Sequence, residues 1–285
     1  MRDRGRICVG SKVLAMILCQ ISDLHIKPER KLAYGVVDTA TMLERCVEQI
    51  GRLPQRPDAV IATGDLVDGG TPAEYSLLRE LLAPLTMPLY LMPGNHDERR
   101  AMRQVFDDHL YLQSTSPFIQ YVINDFPLRV IALDTVIPGQ GGGTLCDERL
   151  AWLEYALAES GKPTVIALHH PPFVTGIGHM DRIALDSSIQ LEQIVARYPQ
   201  VERVIAGHLH RPITVRFGCT VASTCPSPAH QVALDIAPNG VDHFIMEPPA
   251  FQLHWWNGQR LVTHTEYVGD FGPSYPFRES GKLID

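Results

Sequence analysis

The strongest constraint in this chain is a repeated local pattern: a short apolar run that ends at once in Asp, Asn or His. Met16–Ile21 is apolar apart from Gln20 and runs into Ser22-Asp23-Leu24-His25. Ala59-Val60-Ile61 leads to Gly64-Asp65-Leu66-Val67-Asp68, and Met87–Met92 leads to Gly94-Asn95-His96-Asp97. Leu128–Leu133 ends at Asp134, Thr164–Leu168 at His169-His170, and Val201–Ala206 at Gly207-His208-Leu209-His210. Short apolar runs bounded by turn residues read as buried strands. In open α/β sheets, ligands collect beyond the carboxyl ends of the strands, so the polar chemistry is expected along one edge. Asp65 is the natural centre, because the two oxygens of one carboxylate can serve two different cations.

Helical patterns alternate with these strands. Val36, Ala40, Leu43, Val47 and Ile50 share a face over about Val36 to Leu53, and Pro54 and Pro57 stop that helix. Thr71-Pro72-Ala73-Glu74 reads as a capping box opening a second helix. Further helices are expected at Asp147–Glu159 and Asp186–Tyr198. The alternation implies an α/β layered fold. After His210 the texture changes. Phe251, Leu253 and Trp255 alternate with Gln252, His254 and Trp256, and Asn257-Gly258 signals a hairpin with a type I′ turn. The expected organisation is therefore an N-terminal extension at 1–15, an α/β domain at 16–210, a β-rich cap at 211–266, and a tail at 267–285 that returns to the main domain. Met16 is an alternative start to Met1.

A net charge of −7 with no Lys/Arg stripe argues against a nucleic acid polymer as partner. An acidic protein that takes an anionic substrate needs a local positive centre, which bound metal can supply. The six cysteines form no Cys-x-x-Cys pair, which suits reduced thiols and a cytoplasmic protein. Arg2, Arg4 and Arg6 before an apolar stretch imitate a secretory signal, but Lys12 interrupts that stretch, and cleavage would remove the strand presenting Asp23. No apolar run approaches the ~20 residues that span a bilayer, so no membrane role is expected.

Asp23, His25, Asp65, Asn95, His169, His208 and His210 combine carboxylate, amide and imidazole donors. That mixture suits first-row transition metals (Mn, Fe, Zn or Co) better than Ca or Mg. It is more than one such ion takes and about right for two that share Asp65. A pair of cations ~3.5–4 Å apart is a known clamp for in-line displacement at phosphorus, and it makes hydroxide available near neutral pH. Asp68, Asp97 and Asp134 read as structural. His109, His170, His179, His243, His254 and His264 fit no ligand position, although His170 could support a ligand. Trp255, Trp256 and Phe251 read as cap core or subunit interface. Gly139–Gly143 lacks a P-loop lysine and reads as a flexible connection.

Taken in order, Asp23-Leu24-His25, Gly64-Asp65-Leu66-Val67-Asp68, Gly94-Asn95-His96-Asp97, His169 and Gly207-His208-Leu209-His210 resemble the motif series of the calcineurin-like metallophosphoesterase superfamily. The resemblance covers roughly Met16 to His210. It implies a four-layer αββα sandwich, with Asp23, His25, Asp65 and His210 on one metal and Asp65, Asn95, His169 and His208 on the other. It also implies that His96 orients the phosphate or protonates the leaving oxygen, with Asp65 and His96 carrying the catalysis and Asn95 and His96 binding substrate. Tyr34-Gly35, Asp38, Met180-Asp181 and Pro228-Ala229-His230-Gln231-Val232 are similar to stretches of the class III cyclic nucleotide phosphodiesterases and related bacterial glycerophosphodiesterases. In that group Tyr34 and His230 would face the substrate, and the β-rich segment would cap the site and form a homodimer or higher homo-oligomer. The expected activity is hydrolysis of small phosphodiesters, 3′,5′-cyclic nucleotides first and glycerophosphodiesters as the alternative. A phosphomonoesterase or protein phosphatase, or a catalytically silent scaffold, is the further alternative.

Overall fold

A computed structural model describes residues 15–237, 239–279 and 282–283. The 1–14 part of the expected N-terminal extension lies outside the described residues. In chain order the first half comprises β1 (Met16–Ile21), α1 (Thr39–Gly51), β2 (Ala59–Thr63), α2 (Pro72–Leu82), β3 (Leu89–Met92), α3 (Arg99–Val105), β4 (Tyr121–Ile123) and β5 (Arg129–Ala132). The middle comprises α4 (Asp147–Ala158), β6 (Thr164–Ala167), α5 (Gly178–Asp181), α6 (Ser188–Arg197), β7 (Val201–Ala206), β8 (Thr214–Phe217) and β9 (Thr220–Thr224). The rest is β-structure: β10 (Gln231–Val232), β11 (Phe244–Ile245), β12 (Ala250–Trp256), β13 (Leu261–Tyr267), β14 (Arg278–Glu279) and β15 (Lys282–Leu283).

Local chemistry accounts for the helix ends. Asp38 accepts a hydrogen bond from the Thr41 N–H at 3.0 Å, so α1 begins at Thr39 and the expected Val36 stays outside it, exposed. At α2 the capping box is reciprocal: Glu74 accepts from Thr71 N–H at 2.8 Å while Thr71 Oγ1 accepts from Glu74 N–H at 3.4 Å. Ser187 stands at the start of α6, but its hydroxyl instead accepts from Leu145 N–H at 2.6 Å and anchors the glycine-rich loop. That loop is pinned further at Gly143, where a Cβ would meet His170 Nδ1 at 2.3 Å.

Two sheets face one another across the core. One has the order β13-β12-β1-β2-β3 and the other β4-β5-β6-β7-β9-β8. β1, β2 and β3 are parallel, as are β5, β6, β7 and β9. A single apolar core joins both sheets, with α1 and α2 contributing from one side and α4 and α6 from the other. Those four layers, αββα, are the expected architecture. The exposed edge of β3 is protected by two tyrosines: Leu91 N–H donates to Tyr111 Oη at 2.9 Å, Tyr111 donates to Leu89 O at 3.0 Å, and Tyr121 donates to Leu91 O at 2.8 Å.

The segment expected as a separate cap is β-rich, but its strands are shared out. β8 and β9 extend one main sheet, and β12 and β13 extend the other, with Met16 opposite Trp256 in antiparallel register. Of the strands in 211–266, β10 and β11 alone form a small ribbon of their own. Alternating apolar residues announce a strand with one buried face, not the surface that buries it, and here the main sheets supply it. The β12–β13 hairpin forms at Asn257-Gly258 as expected, but only Gly258 is left-handed, at φ +91°, and Asn257 Oδ1 accepts from Gln259 and Arg260 N–H at 2.9 Å. That is the pattern with glycine at the first central position, not type I′. Of the expected 267–285 tail, Val268 is buried in the core and donates its N–H to Pro249 O at 2.8 Å, Gly269–Glu279 is exposed, and β14 pairs with β15. Among the described residues no helix is long and apolar enough to cross a membrane.

Candidate metal centre

The parallel strands of both sheets end on the same side, and each delivers its polar residues there. β1 delivers Asp23 and His25, β2 delivers Asp65, β3 delivers Asn95 and His96, β6 delivers His169, and β7 delivers His208 and His210. Asp23, His25, Asp65, His208 and His210 all hold left-handed backbones, with φ between +45° and +71°. Side-chain-bearing residues rarely adopt that conformation, and its clustering at one place is the mark of a functional site. The turns need missing side chains as well. A Cβ on Gly94 would lie 2.3 Å from Asp65 N and Oδ1, and one on Gly207 would lie 2.1 Å from Ser22 Oγ.

The metal-binding atoms converge from both sheets. His169 Nδ1–H donates to Thr63 O at 2.8 Å, so its Nε2 faces Asn95 Oδ1 at 3.1 Å and Asp65 Oδ2 at 3.3 Å. His210 Nδ1–H donates to His230 O at 3.2 Å, so its Nε2 faces His25 Nε2 at 3.2 Å and Asp23 Oδ1 at 3.6 Å. Asp65 Oδ2 lies 3.7 Å from His25 Nε2, so this carboxylate stands between the two groups. His208 donates Nε2–H to Ile183 O at 3.1 Å and keeps Nδ1 bare, while Asp23 accepts its backbone N–H at 2.9 Å. Without a cation, His169 shares its Nε2 proton with the oxygens it faces; a cation would take the place of that proton and bind the same atoms. Asp23, His25 and His210 form one candidate cluster, and Asp23, Asp65 and His169 another. The donor set and its geometry fit a pair of transition-metal ions.

The neighbouring groups are already committed. Asp97 accepts from Gly94 N–H at 2.8 Å, Leu66 N–H at 3.1 Å and Tyr75 O–H at 2.8 Å, and so fixes the two ligand turns against each other. Asp134 is held by Arg99 at 2.6 Å, as structural as expected. Asp68 pairs with Lys27, faces His25 Nδ1 at 3.5 Å, and its backbone carbonyl accepts His96 Nδ1–H at 2.8 Å. His170 stands near His169 and His208, but Thr135 Oγ1 at 2.8 Å and Gly141 O at 3.0 Å occupy its two nitrogens.

Burial and charge divide the titrations. Burial alone would lower His169, but Asp65 overcomes it and lifts that imidazole to about 9. Burial raises Asp23 to about 6. At Asp65 burial acts in the same upward sense, but His169, His96 and His25 together outweigh it and hold that carboxyl well below the usual carboxylate range. Burial drives His208 and His230 down to about 3.

A cavity of about 480 Å³ opens over this floor. His25, Asp65, Asn95, His96, His208 and His210 line its base, and Tyr34 and His230 line its wall. All the expected site residues thus gather at one place. The expectation missed Phe244, whose ring lies 5.1 Å from Tyr34 and 5.3 Å from His230, and the rim formed by His179, Asp242 and His243. No periodicity marks these residues, because the ribbon that carries Phe244 is two residues wide on each side. Trp255 and Trp256 lie away from the cavity.

A family model described as calcineurin-like phosphoesterase matches residues 16–212. The chain is 42% identical over 274 residues to a protein of Arcobacter nitrofigilis named probable glycerophosphodiester phosphodiesterase GpdQ, covering 95% of this chain and 100% of that relative. It is 33% identical over 220 residues to the 3′,5′-cyclic adenosine monophosphate phosphodiesterase CpdA of Pseudomonas aeruginosa, covering 77% of this chain and 78% of CpdA. Among solved structures, a dimetal phosphatase from Danio rerio superposes with a TM-score of 0.62 at 14% identity, covering 87% of this chain and 98% of that one.

The titrations dictate how the metal-free protein responds to acid. His208, His230 and His254 sit at about 3 when folded, against 6.5 for an ordinary imidazole. Between those values the unfolded chain binds more protons, so stability falls as pH falls. Asp23 and Asp97, both raised to about 6, act in the opposite sense over a shorter window. The urea midpoint of chelator-treated protein, followed by circular dichroism, is expected to drop steadily from about pH 6.5 to about pH 4; a flat profile would contradict the buried neutral histidines.

Proposed function

This chain belongs to the calcineurin-like phosphoesterase family and is a metal-dependent phosphoric diester hydrolase, and from that premise we propose that it cleaves small phosphodiesters, glycerophosphodiesters first. The observation that carries this reading is the pair of acceptor clusters meeting at Asp65, at the base of a cavity of about 480 Å³. That volume suits a small molecule and not a polymer. The choice of alcohol rests on the end-to-end likeness to the Arcobacter relative.

Asp23, His25, Asp65 and His210 would hold one cation, and Asp65, Asn95, His169 and His208 the other, with Mn, Fe, Zn or Co as the ions this donor set suits. The bound pair supplies Lewis acidity toward the phosphoryl oxygens and acidifies water. The chain's own side chains do the rest. His96 gives Nδ1–H to the Asp68 carbonyl, so its Nε2 faces the cavity, where the imidazolium form would pass its Nε2 proton to the departing alkoxide and be left as neutral imidazole. The Asp65 carboxylate accepts the His96 backbone N–H at 2.9 Å and so sets where that imidazole stands. Tyr34, pushed up to about 12 by burial and by the Asp68 and Asp65 carboxylates, keeps its O–H as a donor at the rim. His230 lines the same wall, and among the described residues its buried Nδ1 has no hydrogen-bond partner.

A second reading, a 3′,5′-cyclic nucleotide, is favoured by the aromatic wall of Tyr34, His230 and Phe244, which offers a face to a base. We further propose a cytoplasmic homodimer that pairs through the 211–266 segment, where Ile236, Ile245 and Met246 are exposed.

Under matched metal, kcat/KM is expected to be higher for glycerophosphoethanolamine than for cyclic AMP; the reverse order would move the assignment to cyclic nucleotides. Cleavage of p-nitrophenyl phosphate with no cleavage of its diester would sink the diesterase reading. His96→Ala is expected to lose about 10²–10⁴-fold in kcat on diesters with poor leaving groups and much less on activated ones; equal losses would remove its acid role. Light scattering is expected to give twice the chain mass, and a monomer at micromolar concentration would reject the dimer.

A further inference from the structure

The interior between the two sheets is not uniformly apolar. Gln20, the lone polar residue of β1, is completely buried and aims its amide across the sandwich. Its Nε2 donates to Ala206 O on β7 at 3.0 Å and to Thr63 Oγ1 on β2 at 2.9 Å. Ala206 O and Thr63 Oγ1 therefore receive both amide hydrogens, and Gln20 Oε1 must accept from elsewhere. It faces His254 Nε2 on β12 at 3.0 Å. His254 is thereby fixed with its proton on Nε2, and its Nδ1 accepts from Thr263 Oγ1 on β13 at 2.8 Å.

This chain of bonds ends at the metal centre. Thr63 is the last residue of β2 before Gly64-Asp65, and its carbonyl is the acceptor that fixes the His169 tautomer. Ala206 is the last residue of β7 before Gly207-His208. Gln20 itself lies on the strand that runs into Asp23 and His25. One side-chain amide thus joins the ends of three ligand-bearing strands that belong to two different sheets.

We propose that Gln20, oriented by His254, is a positioning residue that sets the spacing of the two halves of the cation site. This rests on the dinuclear reading given above. Apolar packing alone would hold two sheets at about the right distance but would leave them free to slide, whereas directional bonds fix their offset. Second-shell bonds of this kind orient ligands without touching the ion.

The full chain, stripped of metal, is titrated with cobalt(II), and binding is followed by calorimetry and by the visible absorption of the bound ion. Gln20→Met keeps the volume and removes the bonds. It is expected to fold and to weaken cobalt binding by roughly 10–100-fold at one position or both, with an altered spectrum. Gln252→Met removes a comparable cross-sheet bond, Gln252 Nε2 to Thr224 O at 3.3 Å, that reaches no ligand strand, and it is expected to leave cobalt binding unchanged. His254→Leu should weaken binding in the same direction as Gln20→Met, and His254→Gln, which restores a donor opposite Gln20 Oε1, should recover it. Parental affinity and spectrum in Gln20→Met would overturn the proposal. If Gln20→Met does not fold, equal cobalt affinities in the two His254 variants would do so. An unaltered chain that binds no cobalt would overturn the dinuclear reading instead, and the positioning role with it.

Discussion

Acceptor atoms forced to face one another are what the rest of this molecule serves. His169 Nε2 stands within 3.3 Å of both Asn95 Oδ1 and Asp65 Oδ2, and His25 and His210 aim ring nitrogens at each other across 3.2 Å. In a buried, low-dielectric place such groups need a shared proton or a cation between them. The arrangement persists because each ring is pinned from behind: His169 by Thr63, His210 by the His230 carbonyl, His208 by Ile183. A cation would displace the shared proton and bind the same atoms.

The sandwich supplies the rigidity that this demands. Strand ends with left-handed backbones at Asp23, His25, Asp65, His208 and His210 each cost on the order of 1–3 kcal/mol. The apolar core that joins both sheets compensates, and Asp97 locks the Asp65 turn to the Asn95 turn from beneath. The same design explains why the wall of the cavity differs from its floor. The floor stands on parallel strands buried on both faces. Tyr34 and Phe244 come from irregular chain and a narrow ribbon, where side chains can change without disturbing the core. Under the proposed function the chemistry stands on the floor and the choice of substrate falls to the wall.

The polar interior follows the same logic. Gln20 and His254 place directional bonds where a generic sandwich would place leucines. Their cost is desolvation, and their benefit is that each strand end is held to a definite offset as well as a definite distance. β12 and β13 matter for this reason: they close a sheet and bring His254 to Gln20.

Much was legible in the residues alone. Strand ends, the helix cap at Thr71 and the candidate metal-binding side chains from Asp23 to His210 follow from local pattern, because a buried strand must be apolar and a cation must have acceptors whatever surrounds it. Tertiary structure alone decided where alternating segments such as 250–256 would pair, since alternation encodes a buried face and not its partner. It also decided that His170 is occupied by Thr135 and Gly141 while its neighbour His169 is free to face a cation, and that Gln20 is a clamp and not an interruption. A side chain's type limits what it can bond to, but which bonds it makes depends on atoms that arrive from distant parts of the chain.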